Sequence, residues 1–150
     1  MFTNYIITSL LAAAPVSETR GAIIYGAASG LNIYHVLILS IILNILIVPA
    51  IFYALELTCF KQMVNKLMGQ RITDLLEKNK EKFEIYEELA LLLFVAIPIP
   101  GTGAWTGTIL ASVLNLDKKK AFAAIALGVV IAAVIVFLGV LGVSFFAKLA

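Results

Sequence analysis

The stretch Phe94-Val-Ala-Ile-Pro-Ile-Pro-Gly-Thr-Gly-Ala-Trp-Thr-Gly107 interrupts an apolar sequence with two prolines and three glycines. Its apolar flanks, Leu89–Ile97 and Ala104–Leu116, are each too short to cross a bilayer, which takes a helix of about 20 residues. The pattern predicts a re-entrant helical hairpin over about 89–116. Broken backbone is tolerated at membrane depth only where protein buries it or where it lines a wet cavity, so we expect a functional site at this tip. The residues expected to shape the tip are Pro98, Pro100, Gly101 and Gly107.

The composition of the chain indicates that it lies in a lipid bilayer and not in water. With 62% hydrophobic and 13% charged residues, a chain of 150 residues cannot bury its apolar surface in a water-soluble domain. We therefore predict a single integral membrane domain over 1–150. A formal net charge of +2 is too small to indicate nucleic acid. The single cysteine excludes an intrachain disulfide, and no zinc motif, cofactor loop or nucleophile–base pair is present, so we expect no metal, no cofactor and no enzymatic activity.

A second interruption lies near the N-terminus. Met1–Ala14 is apolar and is followed by Pro15-Val-Ser-Glu-Thr-Arg-Gly21, after which the apolar sequence resumes. No Lys or Arg precedes the first apolar run, so we expect it to be retained as a helix rather than removed as a signal peptide. This pattern predicts another re-entrant hairpin over about 5–31, shaped by Pro15 and Gly21.

The two predicted hairpins are related in sequence. An offset of 83 positions, which is 98 minus 15, aligns them without gaps. The matches that are hardest to attribute to chance are Pro15 with Pro98, Thr19 with Thr102, Ser29 with Ser112, and Asn32 with Asn115. We infer a duplicated unit, in which Asn32 and Asn115 cap the C-terminal ends of the half-helices.

Each unit ends in a full-length apolar segment. The segments 33–57 and 121–147 are both long enough for a tilted helix across about 30 Å of hydrocarbon. A hairpin that returns to its own side, followed by one crossing, moves the chain to the other face. The second unit must then be inserted upside down. The predicted fold is an all-α membrane protein of two inverted-topology repeats, 1–57 and 89–150, joined by a linker over 58–88.

The linker is predicted to be helical. Its apolar residues recur every three or four positions from Phe60 to Leu76, which predicts an amphipathic helix along the membrane surface.

The basic residues indicate the orientation of the chain in the membrane. The linker and Lys118–Lys120 would share one face, which the positive-inside rule places in the cytoplasm, with both termini outside the plasma membrane. These segments hold nine of the eleven basic residues, namely Lys61, Lys66, Arg71, Lys78, Lys80, Lys82, Lys118, Lys119 and Lys120.

Glu18 and Arg20 are the charged residues of the first tip. A carboxylate at membrane depth costs about 3 kcal/mol unless it is paired, hydrated or protonated, so Glu18 is a candidate proton carrier. Arg20 could hold an anionic group of a substrate, with Thr19 between them. The alternative is a fixed Glu18–Arg20 ion pair that only ties the hairpin together.

The second tip offers a different chemistry. A half-helix starting after Gly103 would present unpaired N–H groups and a positive dipole end, and hydroxyls of Thr102 and Thr106 would suit an anion there. The alternative is that these residues only permit close packing. Trp105 is expected to pack near the tip, and Asn44, a polar residue in mid-span, to bond to a hairpin backbone.

Three segments carry a family resemblance: Pro15-Val-Ser-Glu-Thr-Arg-Gly-Ala22, Asn44 with Pro49, and the stretch Phe94–Gly107. Together they resemble the small multidrug export protein family, which is related to the DedA superfamily. The resemblance implies the same pair of hairpins in an inverted repeat, and a role in export. It differs at Ile23-Ile24-Tyr25, where relatives often carry a proline.

These observations predict a small secondary transporter, coupled to protons, that moves an amphipathic or anionic small solute between the two hairpins. One alternative is a lipid translocase or scramblase for phosphate-bearing lipids such as polyprenyl phosphates. Another is a membrane scaffold with no transport. Two full spans and two hairpins can hardly seal a cavity from the lipid bilayer, so we also predict a homodimer.

Overall fold

The computed structural model describes residues 1–57, 80–99 and 101–149. Over these residues the chain forms α-helices connected by short turns, with no strand. Pro100 and residues 58–79 of the predicted linker lie outside the described residues. The first helix of the second hairpin begins at Lys80, inside the range predicted for the linker and not at about residue 89. The helices are α1 (Phe2–Ala13), α2 (Glu18–Ala28), α3 (Ile33–Leu57), α4 (Lys80–Ala96), α5 (Ala104–Val113) and α6 (Lys118–Leu149).

Two helices are long and apolar enough to cross a membrane. They are Ile33–Glu56 in α3 and Lys118–Phe146 in α6, and they include the two segments predicted as spans. Shorter apolar helices, Phe2–Ala13 and Ala104–Val113, fall in the ranges predicted for the hairpins. At a rise of 1.5 Å per residue, neither short helix covers the hydrocarbon core of a bilayer.

The turns that follow α2 and α5 have the same construction. Gly30 and Asn115 both adopt left-handed backbone, with φ of 70° and 52°. In each turn the next residue donates its N–H five positions back, from Leu31 to the Gly26 carbonyl and from Leu116 to the Ala111 carbonyl, both at 3.0 Å. This is the Schellman arrangement that satisfies the last carbonyls of a helix.

The two long helices also begin alike. Asn32 Oδ1 accepts hydrogen bonds from the N–H groups of Tyr34 and His35, and Asp117 Oδ1 accepts them from Lys119 and Lys120. Each is an N-cap, a position that favours Asn and Asp. The prediction for Asn115 as a helix C-terminal residue is confirmed, but that for Asn32 is wrong, because its side chain serves the start of α3.

Equivalent turns and caps are therefore 85 positions apart, which is 115 minus 30 and 117 minus 32. The gapless offset of 83 aligns the tips in sequence but not these later motifs. Burial follows the longer spacing. The residues buried on one face of α3 are Val36, Ser40, Asn44 and Val48, and those on α6 are Ala121, Ile125, Val129 and Ala133.

Two apolar clusters hold the helices together. The larger joins the second half of α3 and the first half of α6 to α4 and α5, around Val48, Val95 and Ile125. The smaller joins α2 to the opposite halves of the two long helices, around Ile23 and Val36. Each short-helix pair thus packs against a different half of the α3–α6 pair.

Ion pairs join three helices. Lys118 pairs with Glu56, and Lys120 Nζ lies 3.3 Å from Glu88 Oε1. The end of α3 and the start of α6 are therefore neighbours, and the middle of α4 lies beside them. The N–H groups of Lys120 and Lys119, with the charges of both lysines, hold the pKa of Asp117 below its ordinary value of 3.8.

Candidate functional site

The two tips meet through Glu18, the first residue of α2. Its side chain is buried, with 7% of its surface exposed, and its backbone has a φ of 49°. A non-glycine residue in this left-handed region is held there by its surroundings, and such strain clusters at functional sites. The residues 14–17 between α1 and α2 form a tight connection in which the Ser17 hydroxyl donates to the Leu11 carbonyl at 2.6 Å.

The Glu18 carboxylate binds the start of α5. Its Oε1 accepts a hydrogen bond from the Trp105 backbone N–H at 3.2 Å. Trp105 is the second residue of that helix, where N–H groups have no partner inside the helix and the dipole favours an anion. A carboxylate from the first hairpin thus occupies the position at which an anion was expected.

Gly103 leaves the space that the carboxylate fills. A Cβ added at this residue would overlap the Glu18 side chain, and both of its oxygens lie against that position. The backbone of Gly103 is extended, with a φ of 174°, so any residue could adopt it. The requirement for glycine here is therefore one of space and not of conformation.

Thr106 organises the same helix start. The Gly103 N–H donates to Thr106 Oγ1 at 3.0 Å, and that hydroxyl lies 3.3 Å from the Gly103 carbonyl. In a capping box, the side chain of the third helical residue accepts a hydrogen bond from the N–H of the N-cap residue, and Thr106 does this for Gly103. The Thr106 hydroxyl is therefore engaged with its own backbone.

Arg20 binds the end of α4 and the tip that follows. Its guanidinium donates to the carbonyls of Val95 at 3.5 Å and Ile97 at 3.1 Å, and also to those of Ile99 and Thr102. Carbonyls at a helix C-terminus carry partial negative charge and lack partners inside the helix, which makes them suitable acceptors for a cation. Thr102 Oγ1 adds a further acceptor at 3.2 Å and lies 2.7 Å from the Ile97 carbonyl.

Trp105 returns a contact to the first hairpin. Its indole Nε1 donates to the carbonyl of Ala13, the last residue of α1, at 3.0 Å. Trp105 therefore binds the Glu18 carboxylate through its backbone N–H and caps the C-terminus of α1 with its indole. Trp105, predicted as a site residue with packing as its commoner role, makes hydrogen bonds through both its backbone and its indole.

Asn44 supports the first hairpin from mid-span. Its Nδ2 donates to Thr19 Oγ1 at 2.5 Å, and both side chains are buried. We expected Asn44 to bond to a hairpin backbone, but its partner is a side chain. The Oδ1 of Asn44 is buried without a hydrogen-bond partner.

The predicted site residues fall into two groups. Those that the structure brings together are Glu18, Thr19, Arg20, Thr102, Gly103, Trp105, Thr106 and Asn44. Of the hairpin-shaping residues, Pro15, Pro98 and Gly101 are exposed in the connections. Gly21 lies against Ser17, and Gly107 lies against Val95, which allows α4 and α5 to approach closely.

The hydrogen-bond partners of the two charged residues are not those of the ion pair that was the alternative prediction. Glu18 binds an N–H group and Arg20 binds carbonyls, all from the second hairpin. Sequence reasoning missed the carbonyl acceptors of Arg20 at Val95, Ile97 and Ile99, because a backbone carbonyl has no residue type that a motif could reveal. Across the described residues, no three His, Cys, Asp or Glu side chains cluster as a metal site.

Chemically, the tips combine a buried carboxylate and a guanidinium with two helix ends of opposite polarity. A carboxylate at a helix N-terminus binds as an anion, and protonation removes the charge that the dipole favours. Neutral Glu18 would leave the start of α5 open to another anionic group.

Comparison with known proteins gives one family. Residues 18–135, more than half of the chain, match the family described as Putative small multi-drug export protein. The match begins at Glu18 and includes both charged residues and the whole second tip. Neither the curated proteins nor the solved structures gave a significant match. Together with its two apolar long helices, this match shows that the chain is a membrane protein and belongs to the small multi-drug export protein family.

Proposed function

We propose that this protein is a small secondary transporter, coupled to protons, that moves an amphipathic or anionic solute through a site between its two hairpin tips. The observation that carries the proposal is the Glu18 carboxylate at the start of α5, bonded to the Trp105 N–H and lodged in the space left by Gly103. The family name is consistent with export.

In the proposed cycle, the N-terminus of α5 binds either the Glu18 carboxylate or an anionic group of the solute. When Glu18 is ionised, it occupies the α5 N-terminus itself and holds the tips together. When Glu18 accepts a proton, the helix dipole no longer favours it, and an anionic group of the solute takes its place at the N–H groups. Loss of the proton on the other side returns Glu18 to the helix end and releases the solute there, so one proton crosses in the same direction as each solute.

Arg20 keeps the second tip in shape during this exchange. Its guanidinium is occupied by carbonyls of the 95–102 segment and cannot lose its proton. In the proposal it first stabilises the broken backbone at membrane depth. It binds solute only in a state in which some of these carbonyls have been released.

The arrangement in the membrane is part of the proposal. The hairpins would be re-entrant, the two halves would be inverted repeats, and the ends joined by the Glu56–Lys118 pair would face the cytoplasm of the plasma membrane. The termini would lie outside. A homodimer would cover the lipid-exposed sides of the tips.

Exposure of the tips favours a second candidate, a translocase of phosphate-bearing lipids. Val16 is 90% exposed, and Ile97 and Ile99 are about half exposed on the other tip. Apolar residues beside an anion site would suit a lipid whose phosphate enters while its chains remain in the bilayer. In this candidate the same Glu18 exchange would admit the phosphate.

A reconstitution experiment tests the proposal. Purified protein in proteoliposomes is given an inward or outward pH gradient, and flux is followed with carboxyfluorescein as the anionic probe and ethidium as the cationic one. We compare wild type with Glu18→Gln, and use Glu88→Gln as the matched control, because Glu88 pairs with Lys120 away from the tips. A parallel sample measures leaflet exchange of a fluorescent phosphatidic acid.

The account predicts gradient-driven flux of at least one probe in wild type and Glu88→Gln, with a loss of tenfold or more in Glu18→Gln. Phosphatidic acid exchange with the same dependence on Glu18, and no probe flux, would replace the solute transporter with the lipid translocase. Equal activity of Glu18→Gln and wild type would contradict the proton-exchange role in either form. Absence of all transport by folded protein would leave a scaffold.

A further inference from the structure

The middle of α3 contains a pair of buried polar atoms without partners. Ser40 Oγ and Asn44 Oδ1 are both buried and make no hydrogen bond, although their side chains are 0% and 1% exposed. Buried polar groups in proteins are nearly always hydrogen-bonded, and a bound water or ion is one explanation for a buried polar atom without a partner in the protein. Asn44 lies midway along the span Ile33–Glu56.

Ser40 differs from the other helical hydroxyls of this chain. Several of them donate to the carbonyl four residues earlier, as Thr8, Thr108 and Ser112 do at 2.6 to 2.9 Å. This back-bond is open to any serine within a helix. Ser40 is within α3 and fully buried, yet it does not make this bond. Its hydroxyl is therefore available to a different partner.

The two atoms lie on the side of α3 that faces α2. Gly26 approaches Val36 so closely that an added Cβ would lie 2.7 Å from the valine, and Thr19 bonds to Asn44. Ser40 stands between Val36 and Asn44 on the same buried face. Side chains four residues apart in a helix are neighbours, with Cβ atoms about 5–6 Å apart, so one small molecule can contact both side chains.

We propose that Ser40 and Asn44 hold an ordered water molecule between α2 and α3, and that this water serves proton exchange at the neighbouring Glu18. The water would donate to Asn44 Oδ1 and exchange a hydrogen bond with the Ser40 hydroxyl, which gives it two of the two to four partners that a buried water requires. The second half of this proposal rests on the proposed proton coupling; the water site itself does not.

Water fits this place better than a metal cation. The oxygens of Ser40, Asn44 and Thr19 are neutral, and an uncompensated cation in an apolar interior is strongly disfavoured. The charged groups on the surrounding helices are Glu18 and Arg20 of α2, both engaged with the second hairpin. Neither α1 nor the parts of α3 and α6 at this depth contain a charged side chain.

The test observes water at Asn44 directly. Full-length protein labelled with ¹⁵N-asparagine is prepared in micelles, and the Asn44 side-chain amide is assigned by its loss in Asn44→Asp. Rotating-frame cross peaks between this amide and water are then compared in wild type, Ser40→Ala and Ser112→Ala. The control hydroxyl of Ser112 is bonded to its own helix and should not matter.

We expect a water cross peak in wild type and Ser112→Ala that falls at least threefold in Ser40→Ala, while the backbone spectrum stays folded. No cross peak in wild type, or one unaffected by Ser40→Ala, would overturn the site. A shift of the Asn44 side-chain amide resonance when Na⁺ replaces choline in the buffer would assign the site to a cation. That result would also overturn the water site. Should Ser40→Ala fail to fold, Ser40→Cys replaces it.

The proton-exchange half has its own readout. Gradient-driven probe flux should slow at least threefold in Ser40→Ala and stay unchanged in Ser112→Ala. Unchanged flux in Ser40→Ala would overturn this half while the water site stands. Absence of flux in wild type would overturn the proposed function and this half with it, and the cross peaks would still decide the site.

Discussion

The two hairpins make opposite contributions to the place where they meet. The first supplies charged side chains, Glu18 and Arg20, whereas the second supplies backbone, the N–H groups that start α5 and the carbonyls that end α4. Each charge binds the helix end of opposite polarity. In the opposite direction, the Trp105 side chain of the second hairpin donates to the carbonyl of Ala13 in the first hairpin.

This difference shows how the open ends of short helices can be satisfied by the helix pair that faces them. A half-helix that ends inside a bilayer leaves backbone groups without partners, each costing several kcal/mol if nothing binds them. Here one hairpin's side chains bind the other's open ends. The contacts that stabilise the tips are the same ones that a proton or an anionic solute would alter, so stability and function are expected to be coupled.

The largest effect should follow from removing Arg20. Arg20→Ala leaves several carbonyls of the second tip without a cation, and hydrogen bonds to charged groups contribute about 1.5–3 kcal/mol each. We expect a loss of about 3 kcal/mol or more in the free energy of unfolding, measured by circular dichroism during titration with dodecyl sulfate. Arg20→Lys should recover only part of it, because an ammonium lacks the planar fork. Full recovery by lysine would show that charge alone matters.

Filling the space beside Glu18 should have the next largest effect. In Gly103→Ala the new methyl group and the Glu18 carboxylate cannot both keep their positions. Overpacking of this kind costs about 1–3 kcal/mol, and gradient-driven flux should fall with stability. The matched control is Gly139→Ala, since a Cβ there meets nothing within 4 Å. Equal stability of the two variants would mean that Glu18 is not lodged against Gly103.

A smaller effect is expected for the reverse contact. Trp105→Phe keeps an aromatic ring but removes the hydrogen bond to Ala13, and should lower the free energy of unfolding by about 1 kcal/mol. The backbone contact with Glu18 is retained in this variant. Flux should therefore persist at a reduced rate. A loss as large as that of Arg20→Ala would indicate that the indole does more than cap α1.

The smallest effect concerns Asp117, far from the tips. Its pKa is lowered in the folded protein, so its contribution to stability is full above the ordinary value of 3.8 and is lost as the pH falls through the lower folded value. Wild type should lose slightly more thermal stability than Asp117→Asn between about pH 4 and pH 2. Parallel curves for the two proteins would mean that the N-cap of α6 contributes nothing measurable.

The sequence allowed the helices and the site region to be predicted, but not the contacts. Apolar lengths and the Pro-Gly interruptions place α3, α6 and the short helices, and the rarity of charge at membrane depth identifies Glu18 and Arg20. Their partners could not be predicted, because backbone groups carry no sequence signal and proximity in sequence favoured an ion pair between the two. Asn32 was misassigned for a related reason: one residue between two helices can cap either, and only the hydrogen bonds decide.

The emission of Trp105 tests the central claim most directly. It is the only tryptophan in the sequence, so its fluorescence reports on the contact between the tips alone. We predict that its emission wavelength changes with pH between 4 and 9 in wild type and Glu88→Gln, and is constant in Glu18→Gln. The change would follow protonation of Glu18 and its release from the Trp105 N–H. An identical pH response in Glu18→Gln, or none in wild type, would contradict the claim that this carboxylate holds the two hairpins together and exchanges a proton there.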